Sequence, residues 1–218
     1  MKQIVFFTLF IFLFGGCTKF GKNVTIKGRV LNPITGEGIE GAEIWLQKTT
    51  LGLPGGLKTV KKVTSSADGS FELNKFGLVG YSAICVVGDR YRLGWTQDGG
   101  ASFTGNFTLD VKKGKVMHAD YYAVPYGNLQ IHFKNISCFD SNDKVKLYFD
   151  GGKYDGFTFS SGLLIELNGC IDILDSPVKT TIGTKYFHWE VTKNNIISNY
   201  SGSIVINENQ TSSLNVFY

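Results

Sequence analysis

Between Val24 and Tyr218 the spacing that recurs among apolar residues is two. Val24, Ile26, Gly28 and Val30 alternate with Thr25, Lys27 and Arg29, and Leu129, Ile131 and Phe133 alternate with Gln130, His132 and Lys134. In an extended chain successive side chains point to opposite faces, so this spacing marks strands with one side toward a core. Further strands are predicted at 42–49, 57–64, 70–73, 81–88, 106–111, 144–150, 163–169, 185–192, 202–207 and 213–218, and no stretch of ten or more residues carries a helical apolar stripe. Short strands at this density, parted by Gly, Asn and Asp, predict an all-β chain built as antiparallel sandwiches, not an alternating β/α layout. With 218 residues, 43% of them apolar, the chain has enough material for two units of roughly 100 residues, each able to bury a core.

The first residues follow a different rule. Lys2 precedes an eleven-residue apolar run, Ile4 to Phe14, which ends on Gly15, Gly16 and Cys17. Eleven residues as a helix cross about half of a ~30 Å hydrocarbon core, so the run reads as a cleaved export signal and not a span. Leu13, Phe14, Gly15, Gly16 and Cys17 resemble the bacterial lipoprotein signal, with Phe14 standing where Leu is commonest. The resemblance implies cleavage after residue 16, a diacylglyceryl thioether on Cys17 and acylation of its new N-terminus. One acyl chain holds a protein only marginally and two or three hold it stably. Residues 17–23 would then be a lipidated tether.

The stretch VTIKGRVLNPITGEGIEGAEIWLQ, followed by KTVKKVTSSADGSFEL, has a family look of its own. Gly28 in the first strand, the turn at 32–37, Gly38 to Ala42 before the second strand, and Ala67 to Phe71 before the next occur in the order seen in the carboxypeptidase regulatory-like domain. The resemblance covers 24–123 and implies a seven-stranded transthyretin-like sandwich without an active site of its own. Asp68-Gly69 is expected to form a tight hairpin ahead of Phe71 and Leu73. The loop 50–57 is longer than the pattern needs. A zinc peptidase would require His and carboxylate ligands at set spacing. His118, His132 and His188 are the whole histidine complement, and none stands in an HxxE or HExxH arrangement.

Pro125 and Gly127 punctuate the start of a second all-β unit, 124–218. With Cys17 given to lipid, Cys85, Cys138 and Cys170 remain. Cys85 lies in the apolar run AICVV and reads as core, while Cys138 and Cys170 share the second unit and can pair across sheets, the alternative being three separate thiols. No CxxC pair supports zinc or redox chemistry. The oxygen-rich loops 140–143 and 150–156 lack the twelve-residue calcium-loop spacing and match ordinary hairpin turns. Five Asn-x-Ser/Thr sequons, beside a bacterial signal, read as strand ends. Lys and Arg are scattered among Asp and Glu at a net charge of +4, which bears on solubility and calls for no nucleic acid.

The expectation is therefore a lipid-anchored protein of the cell envelope, at the outer membrane of a Bacteroides-like bacterium. It would act as a non-catalytic binding or structural module, with no cofactor and no metal, and with an envelope protein or glycan as partner. Two alternatives stand beside it. One is a carbohydrate-binding accessory protein that uses Trp45, Trp95, Trp189 and the ten Tyr as a stacking platform, and the other is an enzyme with a site in the second unit.

Overall fold

A computed structural model describes residues 22–50, 55–77, 80–98, 107–152, 154 and 161–218. Sixteen strands are described, with no helix among them: β1 Lys22–Leu31, β2 Glu43–Thr50, β3 Gly56–Thr64, β4 Ser70–Gly77, β5 Tyr81–Val86, β6 Tyr91–Gln97, β7 Thr108–Val111 and β8 Val116–Val124. The second half continues with β9 Tyr126–Lys134, β10 Lys144–Gly152, β11 Gly162–Asn168, β12 Asp172–Leu174, β13 Val178–Thr181, β14 Gly183–Lys193, β15 Ile196–Ile206 and β16 Thr211–Phe217.

The chain packs as two compact units. The first combines, among the described residues, 22–30 with Gly38–Val86 and Gly94–Tyr121, and the second combines Leu31–Glu37 and Val87–Leu93 with Tyr122–Tyr218. A linear reading of the sequence puts all of 24–123 in one unit, yet two of its loops pack with the later strands. Asp89 accepts a hydrogen bond from Lys179 at 2.5 Å, Arg90 pairs with Glu208 at 3.1 Å, and Ile34 lies over Gly183.

In the first unit two four-stranded sheets run β4-β1-β8-β6 and β3-β2-β5-β7. Val24, Ile26 and Val30 are fully buried, and Trp95 sits edge-on against Phe71 and Tyr121, with ring centroids at 6.2 and 4.8 Å. Gly28 has a steric reason: a Cβ there would collide with the carbonyl of Ala119 on β8. The Asp68-Gly69 turn departs from the expected hairpin. Ser70 N donates to Asp68 Oδ1 at 3.0 Å and Gly69 takes a φ of 81°, but β3 pairs with β2 while β4 pairs with β1. The turn therefore carries the chain from one sheet to the other, because Phe71 and Leu73 reach the core from β1's side.

In the second unit one sheet runs β11-β10-β14-β15. The other is centred on β9, which pairs with β12 and β13 on one edge and with β16 on the opposite edge. The β9–β16 pairing is parallel, a departure from the all-antiparallel expectation. Its cause is the short link after β15, which moves the chain to the opposite sheet before β16 starts. Leu129, Phe133, Val145, Leu147, Phe187 and Val216 fill the space between the sheets. The sequence pattern misses β6, β8, β12 and β13 and reads only the last part of the eleven-residue β15.

Candidate functional site

The most chemically equipped surface of the second unit is built on the β14–β15 hairpin. Asn194 and Asn195 form its two-residue turn with φ of 46° and 64°, the left-handed pair that matches the twist of antiparallel strands. From that turn the strands pair without interruption, Lys193 with Ile196 through to Gly183 with Ile206. Odd-numbered β14 residues point inward, so Trp189 is buried, and its cross-strand partner Tyr200 stacks on it with centroids 6.0 Å apart and planes at 17°. Gly202 leaves room for the far end of the indole, whose six-membered ring lies 3.4 Å from where a Cβ would stand.

Beyond the stacked pair the inner face of the hairpin opens into a groove of about 330 Å³, lined by Val191, Lys193, Asn194, Ile196, Ser198, Tyr200 and Tyr218. Tyr200 shows 47% of its surface, whereas Tyr218 is buried. The Lys193 ammonium lies 5.3 Å from the Tyr218 ring centroid and donates to the Ser137 carbonyl at 2.8 Å. Two buried polar atoms at this end, Trp189 Nε1 and Tyr218 OH, lack a hydrogen-bond partner among the described residues. Burial and, after it, the negative charge of Asp143 push the Tyr218 phenol up to about 12. It therefore stays protonated and able to donate. The Asp143 carboxylate is itself held below its usual range by hydrogen bonds, first from the Asn135 side chain at 2.9 Å and then from Phe139 N at 2.8 Å. The arrangement offers one exposed aromatic face, that of Tyr200, with the Lys193 ammonium and the short amide and hydroxyl side chains of Asn194 and Ser198, while the Tyr218 hydroxyl lies buried beneath.

Cys17 lies outside the described residues. Cys138 and Cys170 are joined as a disulfide with Cα atoms 5.3 Å apart, tying the loop before Asp143 to the turn after β11. Cys85 is a buried thiol in β5. Of the three tryptophans, Trp95 and Trp189 are core residues, and half-buried Trp45 lies under the Lys62 ammonium at 3.8 Å. The row of exposed tryptophans that the carbohydrate-binding alternative would use is thus absent among the described residues, since β-strand aromatics are drawn inward by their large apolar area.

The ionisable residues pair on open sheet faces. His132 and Lys134 each approach Asp172 at 2.6 Å, and these two hydrogen bonds, Lys134's first, hold Asp172 below its usual range. His188 meets Asp150 at 2.5 Å and stacks flat on Tyr148, with centroids at 4.5 Å and planes at 2°. Ser201 stands across from His188 on β15, but no hydrogen bond joins them among the described residues. An Asp-His-Ser row on a flat sheet lacks the hydroxyl-to-imidazole contact that nucleophilic catalysis uses. No group of three His, Cys, Asp or Glu able to hold a metal occurs among the described residues.

No protein-family model matches this sequence, and no curated protein matches it. Among solved structures the chain is similar to the Bacillus anthracis TIE protein, at 16% identity and a TM-score of 0.33 over 90% of this chain and 33% of that one. It is similar also to a DUF3823 family protein from Bacteroides uniformis, at 9% identity and 0.33 over 85% and 100%. A streptococcal ancillary pilin matches at 12% identity and 0.35 over 89% and 62%. The chain thus spans a third of the first of these proteins. Likeness at such TM-scores is too slight to bear on role, and the all-β architecture stands on the strands described above.

Proposed function

We propose that this protein is a non-catalytic binding module of a bacterial cell envelope, held at the outer membrane by acyl chains on Cys17, and that it takes a glycan in the Tyr200–Tyr218 groove. One contrast carries the reading. In the second unit Lys134 with Asp172 and His188 with Asp150 pair on open faces, while the groove presents the exposed Tyr200 ring beside Asn194 and Ser198, with the Lys193 ammonium turned to the Ser137 carbonyl. A sugar ring suits that combination, because its C–H face packs on an aromatic ring and its hydroxyls both donate and accept.

The protein is to be screened against an array of neutral and acidic oligosaccharides. Tyr200→Ala is expected to weaken the bound members by roughly tenfold, and Tyr186→Ala, on the outer face of the same sheet, to leave them unchanged. An array without binders, or equal losses in both variants, sinks the glycan reading. The anchor has a separate test, labelling with a fatty-acid analogue. Wild type should incorporate label and Cys17→Ser should not, and equal incorporation refutes the tether.

A further inference from the structure

The edges of the sheets are not protected alike. Unpaired backbone N–H and C=O groups along an edge invite another strand, and charged residues, lysine above all, discourage it. β3 carries Lys58, Lys61 and Lys62, β4 carries Glu72 and Lys75, β6 carries Arg92, β7 carries Asp110, β11 carries Glu166, and β12 and β13 carry Asp172 and Lys179. The exceptions among the described edge strands are β15, IISNYSGSIVI, and the adjoining β16, TSSLNVF. β15 is eleven residues long and holds neither charge nor proline. Ile196, Ile197 and Val205 on it are more than half exposed.

The hairpin geometry says which backbone groups are open. The pair that closes a two-residue turn, Lys193 with Ile196, exchanges hydrogen bonds, and such pairs alternate along the ladder. The even residues of β15 therefore face β14. Ile197, Asn199, Ser201, Ser203 and Val205 direct their backbone groups away from it, with the Val205 carbonyl also accepting from the Ser212 hydroxyl at 2.9 Å.

We infer that β15 pairs antiparallel with β15 of a second copy of this chain, about a two-fold axis at Ser201. The register follows from the residues. With Ser201 on the axis, Ile197 stands opposite Val205 of the partner subunit, so two exposed apolar side chains cover each other on one face. Tyr200 stands opposite Gly202 of the partner subunit, which gives the ring space on the other face. A two-fold pairing sets equivalent parts of one strand against each other, and a charged edge would bring like charges into close range, whereas β15 has none to oppose. A second copy is favoured over a charged partner for the same reason: the edge offers nothing for charge to recognise. The pairing would join the two β11-β10-β14-β15 sheets into one of eight strands. It does not depend on the glycan reading, because its backbone hydrogen bonds and its Ile197–Val205 contact lie outside the groove, with Tyr200 the one residue common to both.

The test uses the full chain, expressed in its own envelope. Ser201→Cys on the axis should give a species of twice the mass on a non-reducing gel after mild oxidation, since opposed residues in such a pair lie about 5.5 Å apart at Cα. Asn199→Cys, off the axis by two residues in each copy, should give at least fivefold less. Adding Ile197→Lys to Ser201→Cys should abolish the product. Both cysteine positions are exposed, so folding is not at issue. A monomeric Ser201→Cys, equal crosslinking from Asn199→Cys, or survival of the product with Ile197→Lys each overturns the pairing.

Discussion

Lys185 shows how a single residue can break the local pattern without breaking the fold. Its neighbours Tyr186 and His188 face outward while Lys185 points in with Phe187 and Trp189. It is fully buried, and its ammonium donates to Thr181 Oγ1 at 2.9 Å. Burial lowers the ammonium from 10.5 to about 8. Below pH 8 both folded and unfolded chains carry the charge, and the folded state bears the full penalty. Above pH 8 the folded chain releases the proton first, so the unfolded chain binds more protons and stability rises with pH. The raised Tyr218 phenol works against this above pH 10, where the folded chain holds its proton longer. The urea midpoint is thus expected to climb between pH 8 and 10 in the wild type and to stay level in Lys185→Met. A level wild-type profile would show that the buried charge is fully compensated.

At the scale of elements, the β14–β15 hairpin determines both the groove and the open edge. Its turn depends on two left-handed residues, a conformation that asparagine tolerates and alanine does not. Asn195→Ala should cost about 1 kcal/mol in chemical denaturation and should reduce hydrogen-exchange protection first at Ile196 and Ile197. Uniform loss over the second unit would instead mean that the hairpin does not open by itself. The alternation Tyr186, Phe187, His188, Trp189, Glu190, Val191 is legible in the sequence, and so is β14. The first half of β15 is not, because Ile196 and Ile197 are adjacent and Ser198 to Ser201 are polar or aromatic, which hides a period of two. Pairing with β14, and not any pattern of its own, makes that segment a strand.

For the molecule as a whole, the ionisable groups that favour the folded state are unevenly spread. Asp143, Glu166 and Asp172, all in the second unit, are held below their usual range, chiefly by hydrogen bonds from Asn135, Lys144 and Lys134 respectively. In the first unit Asp68 is held down by Ser70. A carboxylate with a lowered folded value stabilises the fold above its unfolded value near 4 and loses that contribution as pH falls through the folded value. Hydrogen-exchange protection, corrected for the intrinsic amide rate at each pH, is therefore expected to fall more between pH 6 and pH 3 over 122–218 than over 38–86. An equal loss of protection in the two units would show that acid acts on some other group.

The sequence by itself determined that this chain is all-β, that its core is drawn from alternating apolar residues, and that Cys85 lies in an apolar strand. These are local properties, written in the spacing of neighbouring side chains along an extended backbone. Tertiary structure decided the rest. It assigned the loops at 31–37 and 87–93 to the second unit, made β9–β16 parallel, set Cys138 beside Cys170, buried Trp95 and Trp189, and brought Tyr200, Lys193 and Tyr218 around one groove. Each of these depends on which strand lies next to which. Strand order is settled by how two faces fill a shared core and by where turns send the chain, and a period of two carries no record of it.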